Sequence, residues 1–213
     1  MKKAFIIVFL ILVVDQVFKI WVKTHMTLGQ EIPVLGDWFI LHFTENEGMA
    51  FGLSFGGAAG KLMLSIFRII AAAAIGYYIW YLDRQGAKTG LMVCFALIMA
   101  GAMGNILDSA FYGLIFSASS YHNPAVMFPE GGGYATFLHG KVVDMLYFPL
   151  IDTVWPNWIP IFGGQSLQFF RPVFNLADAS ITTGVLSLII FQRKFFTRKE
   201  EEKDDSPDKE AGG

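Results

Sequence analysis

The sequence predicts an all-α membrane protein, a four-helix transmembrane bundle with a small interfacial β-sheet in the first outer loop. The 213-residue chain is 54% hydrophobic and only 16% charged, whereas about a quarter of a soluble domain is charged. A helix that crosses a bilayer needs about 20 predominantly apolar residues. Four runs are of this kind: Ala4–Val22, Leu62–Leu82, Thr89–Phe116 and Val173–Phe196.

The distribution of lysine and arginine predicts that both termini lie in the cytosol. These residues are concentrated in the segments that an N-in, C-in arrangement of four spans places inside. The two outer loops are much longer, yet they hold only Lys23, Lys61, Lys141 and Arg171. We divide the chain into a membrane domain, residues 1–198, and a charged cytosolic tail, residues 199–213, which we expect to be disordered.

Ionisable residues inside a span are costly and are functional candidates by default. Asp15 and Lys19 are four positions apart in the first span, so they can form an ion pair on one helix face. We favour a structural pair, in which Lys19 neutralises Asp15 within the bundle, over a direct chemical role. Arg68 lies near the outer end of the second span, and we expect it to snorkel to the headgroups.

The first outer loop, Thr24–Lys61, accounts for the predicted sheet. Its aromatic and β-branched residues are bounded by Gly and Pro, a pattern typical of short strands and turns. Trp38, Phe39 and Phe43 suit the membrane–water interface. We interpret Asn46 as a turn residue, although its amide could also be aimed at a site.

The second outer loop, Ser117–Arg171, is long enough to have structure or function of its own. It contains a strand-like or re-entrant apolar run with a single acid, Asp144, in its middle. The apolar neighbours predict that Asp144 is poorly solvated. A turn aspartate at the membrane surface is the simpler alternative.

Two Asn-x-x-Asp pairs lie at the end of the third span and the start of the fourth, Asn105 with Asp108 and Asn175 with Asp178. Each pair shares one face of a helix. The two helices run in opposite directions, so a position about 28 Å along the third matches one about 7 Å into the fourth. Both pairs therefore reach one depth near the outer surface, and spacing alone favours Asp108 as the partner of Asp178.

Asp108, Asp144 and Asp178 are thus three candidates for one site at the outer face. Two carboxylates a few ångströms apart cannot both ionise cheaply, so a pair shares one proton and can act as general base and general acid. That is the chemistry of an aspartic peptidase, which needs no metal or cofactor. The sequence contains no His-Glu-x-x-His motif, no Gly-x-Ser-x-Gly elbow and no phosphate-binding loop.

Two other classes of protein remain as alternatives. A small proton-coupled transporter could use the buried acids as a relay, although four helices without a repeat of spans leave little room for alternating access. A structural membrane scaffold would tolerate neutral substitution of the acids. For none of these classes do we expect a nucleic-acid partner.

Across nearly the whole chain up to the tail, the sequence resembles the lipoprotein signal peptidases (signal peptidase II), which are bacterial membrane aspartic peptidases. The stretches that carry the resemblance are Asp15-Gln16 with Lys19, Asn46–Gly52, Gly104-Asn105-x-x-Asp108, Val142-Val143-Asp144 and Phe174-Asn175-x-Ala177-Asp178. In this order and on four spans they are highly specific, whereas any one alone is not.

The resemblance implies that Asp144 and Asp178 are the catalytic pair. It also implies supporting or substrate-binding roles for Asp15, Lys19, Asn46, Gly48, Gly104, Asn105, Asp108, Asn175 and Ala177. The expected substrate is a diacylglyceryl-modified prolipoprotein, cut before its lipidated cysteine at the outer face of the inner membrane. Membrane lipid is an expected partner, and the cyclic peptide globomycin is an expected inhibitor.

The sequence departs from the family pattern at a few positions. Ser109 stands where the family usually has Arg, so we carry no role onto it. The stretches Ser117–Gly140 and Asp152–Gln168 look longer than usual, and Met145 follows the expected catalytic Asp144 where Phe is common.

Overall fold

The computed structural model describes residues 1–47, 57–149, 151–169 and 172–191. Its helices are α1 (Lys2–His25), α2 (Gly57–Arg84), α3 (Thr89–Leu107), the short α4 (Gly113–Ile115) and α5 (Leu176–Phe191), with a π-helical turn at Asp108–Tyr112 between α3 and α4. The predicted Gly48 and the tail 199–213 lie outside the described residues.

Within the described ranges, three helices are long and apolar enough to cross a membrane: Lys2–His25, Ala59–Arg84 and Thr89–Ile115. They correspond to the first three predicted spans. The fourth apolar run is a shorter helix, described over 16 residues as Leu176–Phe191. Its predicted first residues are not helical, because Val173–Phe174 form a β-strand that ends just before the helix.

Glycine allows α3 to pack closely against α5 and α1. A Cβ atom added at Gly101 would lie 2.1 Å from the backbone oxygen of Ala177, and one at Gly104 would lie 2.8 Å from Oδ2 of Asp15. Neither distance is compatible with a side chain. The small residues at the end of the third span therefore allow neighbouring helices to approach closely, as such residues do in membranes.

The strands are β1 (Glu31–Leu35), β2 (Phe39–Asn46), β3 (Val142–Tyr147), β4 (Ile151–Val154), β5 (Ser166–Phe169) and β6 (Val173–Phe174). Antiparallel strands β1, β2, β3 and β6 form one sheet in that spatial order, and β4 and β5 form a separate hairpin.

The predicted fold class agrees in part, because the protein is mostly helical and has a small antiparallel sheet, but this sheet is not confined to the predicted first outer loop. Its inner strand β3 comes from the second outer loop, and its edge strand β6 precedes α5. Long-range strand pairing is not encoded in either segment alone. The hairpin β4–β5 coincides with Asp152–Gln168, a stretch that looked longer than usual.

Two local predictions for β2 were wrong. Asn46 is not in a turn, because it is the last residue of β2 and pairs with Val142 of β3. Phe43 is not at an interface, because it is fully buried in a cluster with Val22, Met26 and residues of β3. Period-2 alternation in a strand turns one face to the protein, and Phe43 lies on that face.

Candidate functional site

Asn175 and Asp178 form the N-terminal cap of α5. Oδ1 of Asn175 accepts a hydrogen bond from the backbone N–H of Asp178 at 2.9 Å, and Oδ2 of Asp178 accepts one from the backbone N–H of Asn175 at 3.5 Å. This reciprocal pattern is that of a capping box. The second Asn-x-x-Asp motif is thus a helix start, which holds the Asp178 carboxylate at the positive end of the helix dipole.

The amide nitrogen of Asn175 binds Asp144. Its Nδ2 donates to Oδ1 of Asp144 at 2.6 Å and lies 3.3 Å from both the Val143 oxygen and Oδ1 of Asn105. Asn175 is fully buried. The Asn175 amide therefore fixes the two predicted catalytic acids relative to each other. It binds the side chain of Asp144 and the backbone N–H of Asp178.

Asp144 lies in β3 opposite Thr44 of β2 and is 3% exposed. Burial raises the pKa of Asp144 to about 7, and the negative charge of Asp178 adds to the effect; hydrogen bonds from Asn175 and Asn46 oppose it. The Asp178 side chain is half-buried. A carboxyl with such a pKa can hold a proton at neutral pH beside a carboxylate that does not.

Asn105 joins this pair to a second group of charges. Its Nδ2 donates to Oδ1 of Asp178 at 2.8 Å, and its Oδ1 accepts from Nζ of Lys19 at 3.1 Å. Both carboxylate oxygens of Asp178 therefore accept a hydrogen bond, Oδ1 from the Asn105 side chain and Oδ2 from the Asn175 backbone. Contacts of this kind fix the orientation of a carboxylate before a substrate arrives.

Lys19 is the centre of a fully buried ion cluster. Its Nζ lies 3.0 Å from Oδ2 of Asp15 and 2.8 Å from Oδ2 of Asp108, and all three side chains are at most 1% exposed. The predicted Asp15–Lys19 pair is confirmed, with Asp108 as a further partner. Paired and hydrogen-bonded charges are the form in which burial of ions is tolerated.

Asp108 is therefore not the direct partner of Asp178 that the spacing favoured. Its Oδ1 accepts from Nε2 of Gln16 at 2.8 Å and its Oδ2 from the backbone N–H of Val143 at 3.2 Å, in addition to the contact with Lys19. The two Asn-x-x-Asp motifs do converge, but through Asn105 rather than through Asp108.

The remaining expected residues act through the backbone and through packing. The N–H of Ala177 donates to Oδ1 of Asp15 at 3.0 Å, and the Gly104 oxygen accepts from Nε2 of Gln16 at 3.3 Å. Ser109, where the family usually has Arg, is buried and its Oγ donates to the Asn105 oxygen at 3.0 Å. Ser109 is therefore bonded to the backbone one turn earlier in its own helical segment.

Sequence reasoning gave no role to Gln16, which binds both Asp15 and Asp108. Polarity inside an apolar run is the signal that could have identified Gln16. Among the residues that the structure describes, there is no cluster of three or more His, Cys, Asp or Glu side chains that could hold a metal ion.

Comparisons with known proteins assign the chain to a family. The sequence model of the family described as "Signal peptidase (SPase) II" matches residues 7–194. A lipoprotein signal peptidase of Porphyromonas gingivalis is 51% identical over 185 residues, which cover 86% of this chain and 80% of that protein. One from Amoebophilus asiaticus is 40% identical over 190 residues, covering 88% and 76%. The comparisons give no support to the transporter hypothesis.

The fold also resembles a solved structure described as a "Bacterial membrane enzyme structure by the in meso method at 1.9 A resolution". The similarity covers 91% of this chain and 94% of that one, with a TM-score of 0.60 and 24% identity. A second structure of the same description, at 2.3 Å resolution, gives a TM-score of 0.59 and 23% identity over 93% and 92% of the two chains.

Proposed function

The chain belongs to the signal peptidase II family, and from that premise we propose that it is a lipoprotein signal peptidase in which Asp144 and Asp178 are the catalytic acids. It removes the signal peptide of diacylglyceryl-modified prolipoproteins by cleaving before the lipidated cysteine. The observation that carries the assignment of the acids is the bridge through Asn175, which binds Asp144 through its amide nitrogen and Asp178 through its amide oxygen.

The two acids divide the work of peptide hydrolysis according to their surroundings. Asp144 is almost fully buried, and because burial raises its pKa to about 7 we assign the shared proton to it; Asp178 is half-buried at the start of α5. The Asp178 carboxylate takes a proton from water as the water attacks the scissile carbonyl, and Asp144 donates its proton toward the carbonyl oxygen. The proton held by Asp178 then passes to the leaving amine as the C–N bond breaks, and Asp144 takes back a proton from a hydroxyl group of the tetrahedral diol, which returns the pair to one shared proton.

The ion cluster around Lys19 contacts this pair through Asn105. Lys19 offsets the charges of Asp15 and Asp108, and its contact with Asn105 fixes the amide that donates to Asp178. Asn46 at the end of β2 hydrogen-bonds Asp144 from the side of the sheet. Because these partners are buried or packed, the acids are held in place before the substrate arrives.

In the membrane, we propose that α5 continues as the fourth span of a four-helix bundle, with both termini in the cytosol. The site then lies at the outer face of the inner membrane, and residues 199–213 form a cytosolic tail outside the membrane domain. The substrate is itself an apolar helix with lipid on its cysteine, so it can reach the site laterally through the bilayer.

Cleavage of a purified diacylglyceryl prolipoprotein in detergent tests the proposal. Asp144→Asn and Asp178→Asn should each abolish cleavage and leave thermal unfolding close to wild type, because an amide cannot exchange the proton. Asp37→Asn, at an exposed aspartate of the β1–β2 turn, is the matched control and should cleave normally. Wild-type cleavage should persist in a chelator and stop with globomycin. Retained cleavage by either catalytic variant would refute the pair.

A further inference from the structure

The segment from Tyr134 to Lys141 in the second outer loop forms a closed turn that has no part in the proposed mechanism. Oη of Tyr134 accepts a hydrogen bond from the backbone N–H of Lys141 at 2.6 Å, and this bond joins the two ends of the segment. Near its tip, Leu138 has a φ of 63°. A residue other than glycine keeps such a φ only where its surroundings hold it. The closed turn is therefore a fixed element of the fold.

The closed turn lies along the end of the third apolar span, Thr89–Ile115. The backbone N–H of Ala135 donates to the Gly113 oxygen at 2.9 Å, and that of Gly140 donates to the Ser109 oxygen at 2.8 Å. At 1.5 Å per residue, Ser109 lies about 9 Å before the last residue of this span. The closed turn therefore extends from the end of the span toward its middle.

The second apolar span, Ala59–Arg84, gives the tip of the closed turn the same depth. Oγ of Ser65 donates to the backbone oxygen of Leu138 at 3.1 Å, and Ser65 lies about 9 Å inside the start of this span at 1.5 Å per residue. A short connection joins α2 to α3, so the start of α2 and the end of α3 lie on the same side of the membrane. Both helices therefore place the tip within the bilayer.

Backbone groups of the closed turn are bonded to protein, as a non-helical segment at this depth requires. Nδ1 of His139 lies 2.9 Å from the Phe137 oxygen, and the backbone N–H of His139 donates to the Thr136 oxygen at 3.0 Å. Gly140 is buried against α3, where an added Cβ atom would lie 2.2 Å from the Asp108 oxygen. These bonds and this close backbone contact allow the turn to lie in hydrocarbon.

The side chain of Phe137, in contrast, is 53% exposed. Its ring contacts that of Phe111 in a T-shaped arrangement with the ring centroids 6.0 Å apart. Phe111 and the nearby Leu114 belong to the third span and are 43% and 47% exposed. Phe137 therefore continues the exposed apolar face of that span. Contiguous apolar surface of this kind marks contact with a membrane or a partner, and here it joins the lipid-facing side of a spanning helix.

We propose that the closed turn is inserted into one leaflet of the bilayer and that the Phe137 side chain contacts the acyl chains of membrane lipids there. The second outer loop then has a lipid-contact surface of its own, in addition to the apolar faces of the spans. Strand β3 begins at Val142, directly after the closed turn, so this contact holds the start of the strand that carries Asp144 at a fixed depth. The inference rests on the membrane placement of α2 and α3 and not on the catalytic roles of the acids.

Spin-label accessibility in vesicles of phosphatidylethanolamine and phosphatidylglycerol tests the proposal. The label is attached at Phe137→Cys in a Cys94→Ala background, which has no other thiol. It should be reached by oxygen, which partitions into hydrocarbon, and lose access to a water-soluble nickel chelate, as a label at Phe111→Cys should. Tyr121→Cys is the matched control, since Tyr121 is a 73% exposed aromatic residue of the same loop. The chain beside Tyr121 is bonded beyond the end of α1, so the nickel chelate should reach that label.

A second variant, Phe137→Trp, keeps a large aromatic side chain and so the contact with Phe111. Its added fluorescence should be quenched by lipids brominated in their acyl chains and not by iodide, and Tyr121→Trp should show the reverse. A label at position 137 that the nickel chelate reaches would place the closed turn in water, and one that neither reagent reaches would show that protein covers it. Either result would overturn the inference. Neither measurement uses a substrate, so absence of cleavage by wild type would contradict the proposed function alone.

Discussion

Substitution of Asn175 separates the two tasks that the structure gives to one side chain. Its Oδ1 caps α5 by accepting from the Asp178 N–H at 2.9 Å, and its Nδ2 holds Asp144 at 2.6 Å. Asn175→Ala removes both contacts, whereas Asn175→Ser keeps a capping oxygen and loses the amide. Asn175→Asp also keeps the cap, but it places a third carboxyl group against Asp144.

The expected costs follow from the bonds that each variant loses. Loss of an N-cap costs about 1 kcal/mol, and loss of a hydrogen bond to a buried ionisable group costs about 1.5–3 kcal/mol. Asn175→Ala should therefore be destabilised by about 2.5–4 kcal/mol, and Asn175→Ser by about 1 kcal/mol less. If Asn175 orients Asp144 for reaction, kcat of Asn175→Ser should fall about ten- to hundredfold, because 1.4 kcal/mol in the barrier is about tenfold in rate.

Thermal unfolding in detergent and single-turnover cleavage of a diacylglyceryl prolipoprotein measure the two effects separately. Asn175→Asp should separate the two effects most clearly. Its unfolding temperature should be closer to wild type than that of Asn175→Ala, and its cleavage rate should be the lowest of the three variants. Full activity in Asn175→Ser would contradict the orienting role of the amide. Equal destabilisation of the serine and alanine variants would contradict the capping role.

The other predictions concern the ion cluster, the pH dependence and the helix contact. Asp108→Asn should keep part of its activity but lose stability, because Lys19 loses one of its two carboxylates; complete inactivity with an intact fold would contradict a supporting role. Because the pKa of Asp144 is raised in the folded state, its contribution to stability is full at low pH and is lost as pH rises through about 7. Unfolding followed against pH should show this decline, and Asp144→Asn should remove it. Gly101→Ala should destabilise strongly because its Cβ would meet backbone, whereas Gly76→Ala should be tolerated because its Cβ would meet the end of a flexible Met99 side chain; equal unfolding temperatures would refute the contact.

Much of the site could be predicted because the required residue types are rare in apolar sequence. A carboxylate or an amide inside a membrane-spanning run is conspicuous, and Asp15, Lys19, Asn105 and Asp178 were all identified in that way. The structure brings these four into one connected set of contacts. The spacing of Asp15 and Lys19 also fixed their pairing, since four residues of helix leave little freedom.

The fold was predicted less well where strands pair over long distances. The position of Asp144 depends on the register of β3 against β2, and Thr44 and Asp144 are far apart in the chain. A shift of one residue would turn Asp144 to the opposite face of the sheet. Asn46 was misjudged for the same reason, because its own neighbours resemble a turn and only pairing with Val142 makes it a strand end.

By itself, the sequence determined the apolar helices, the polar residues within them and the convergence of both Asn-x-x-Asp motifs. Spacing could not distinguish the motifs, because it is identical in both. Only the tertiary structure decided that Asn175-x-x-Asp178 caps a helix and is bridged to Asp144, whereas Asp108 lies at the end of α3 and is bound to Lys19. The physical reason is that a carboxyl group takes its role from burial, charge and hydrogen bonds, and residues distant in the chain provide them.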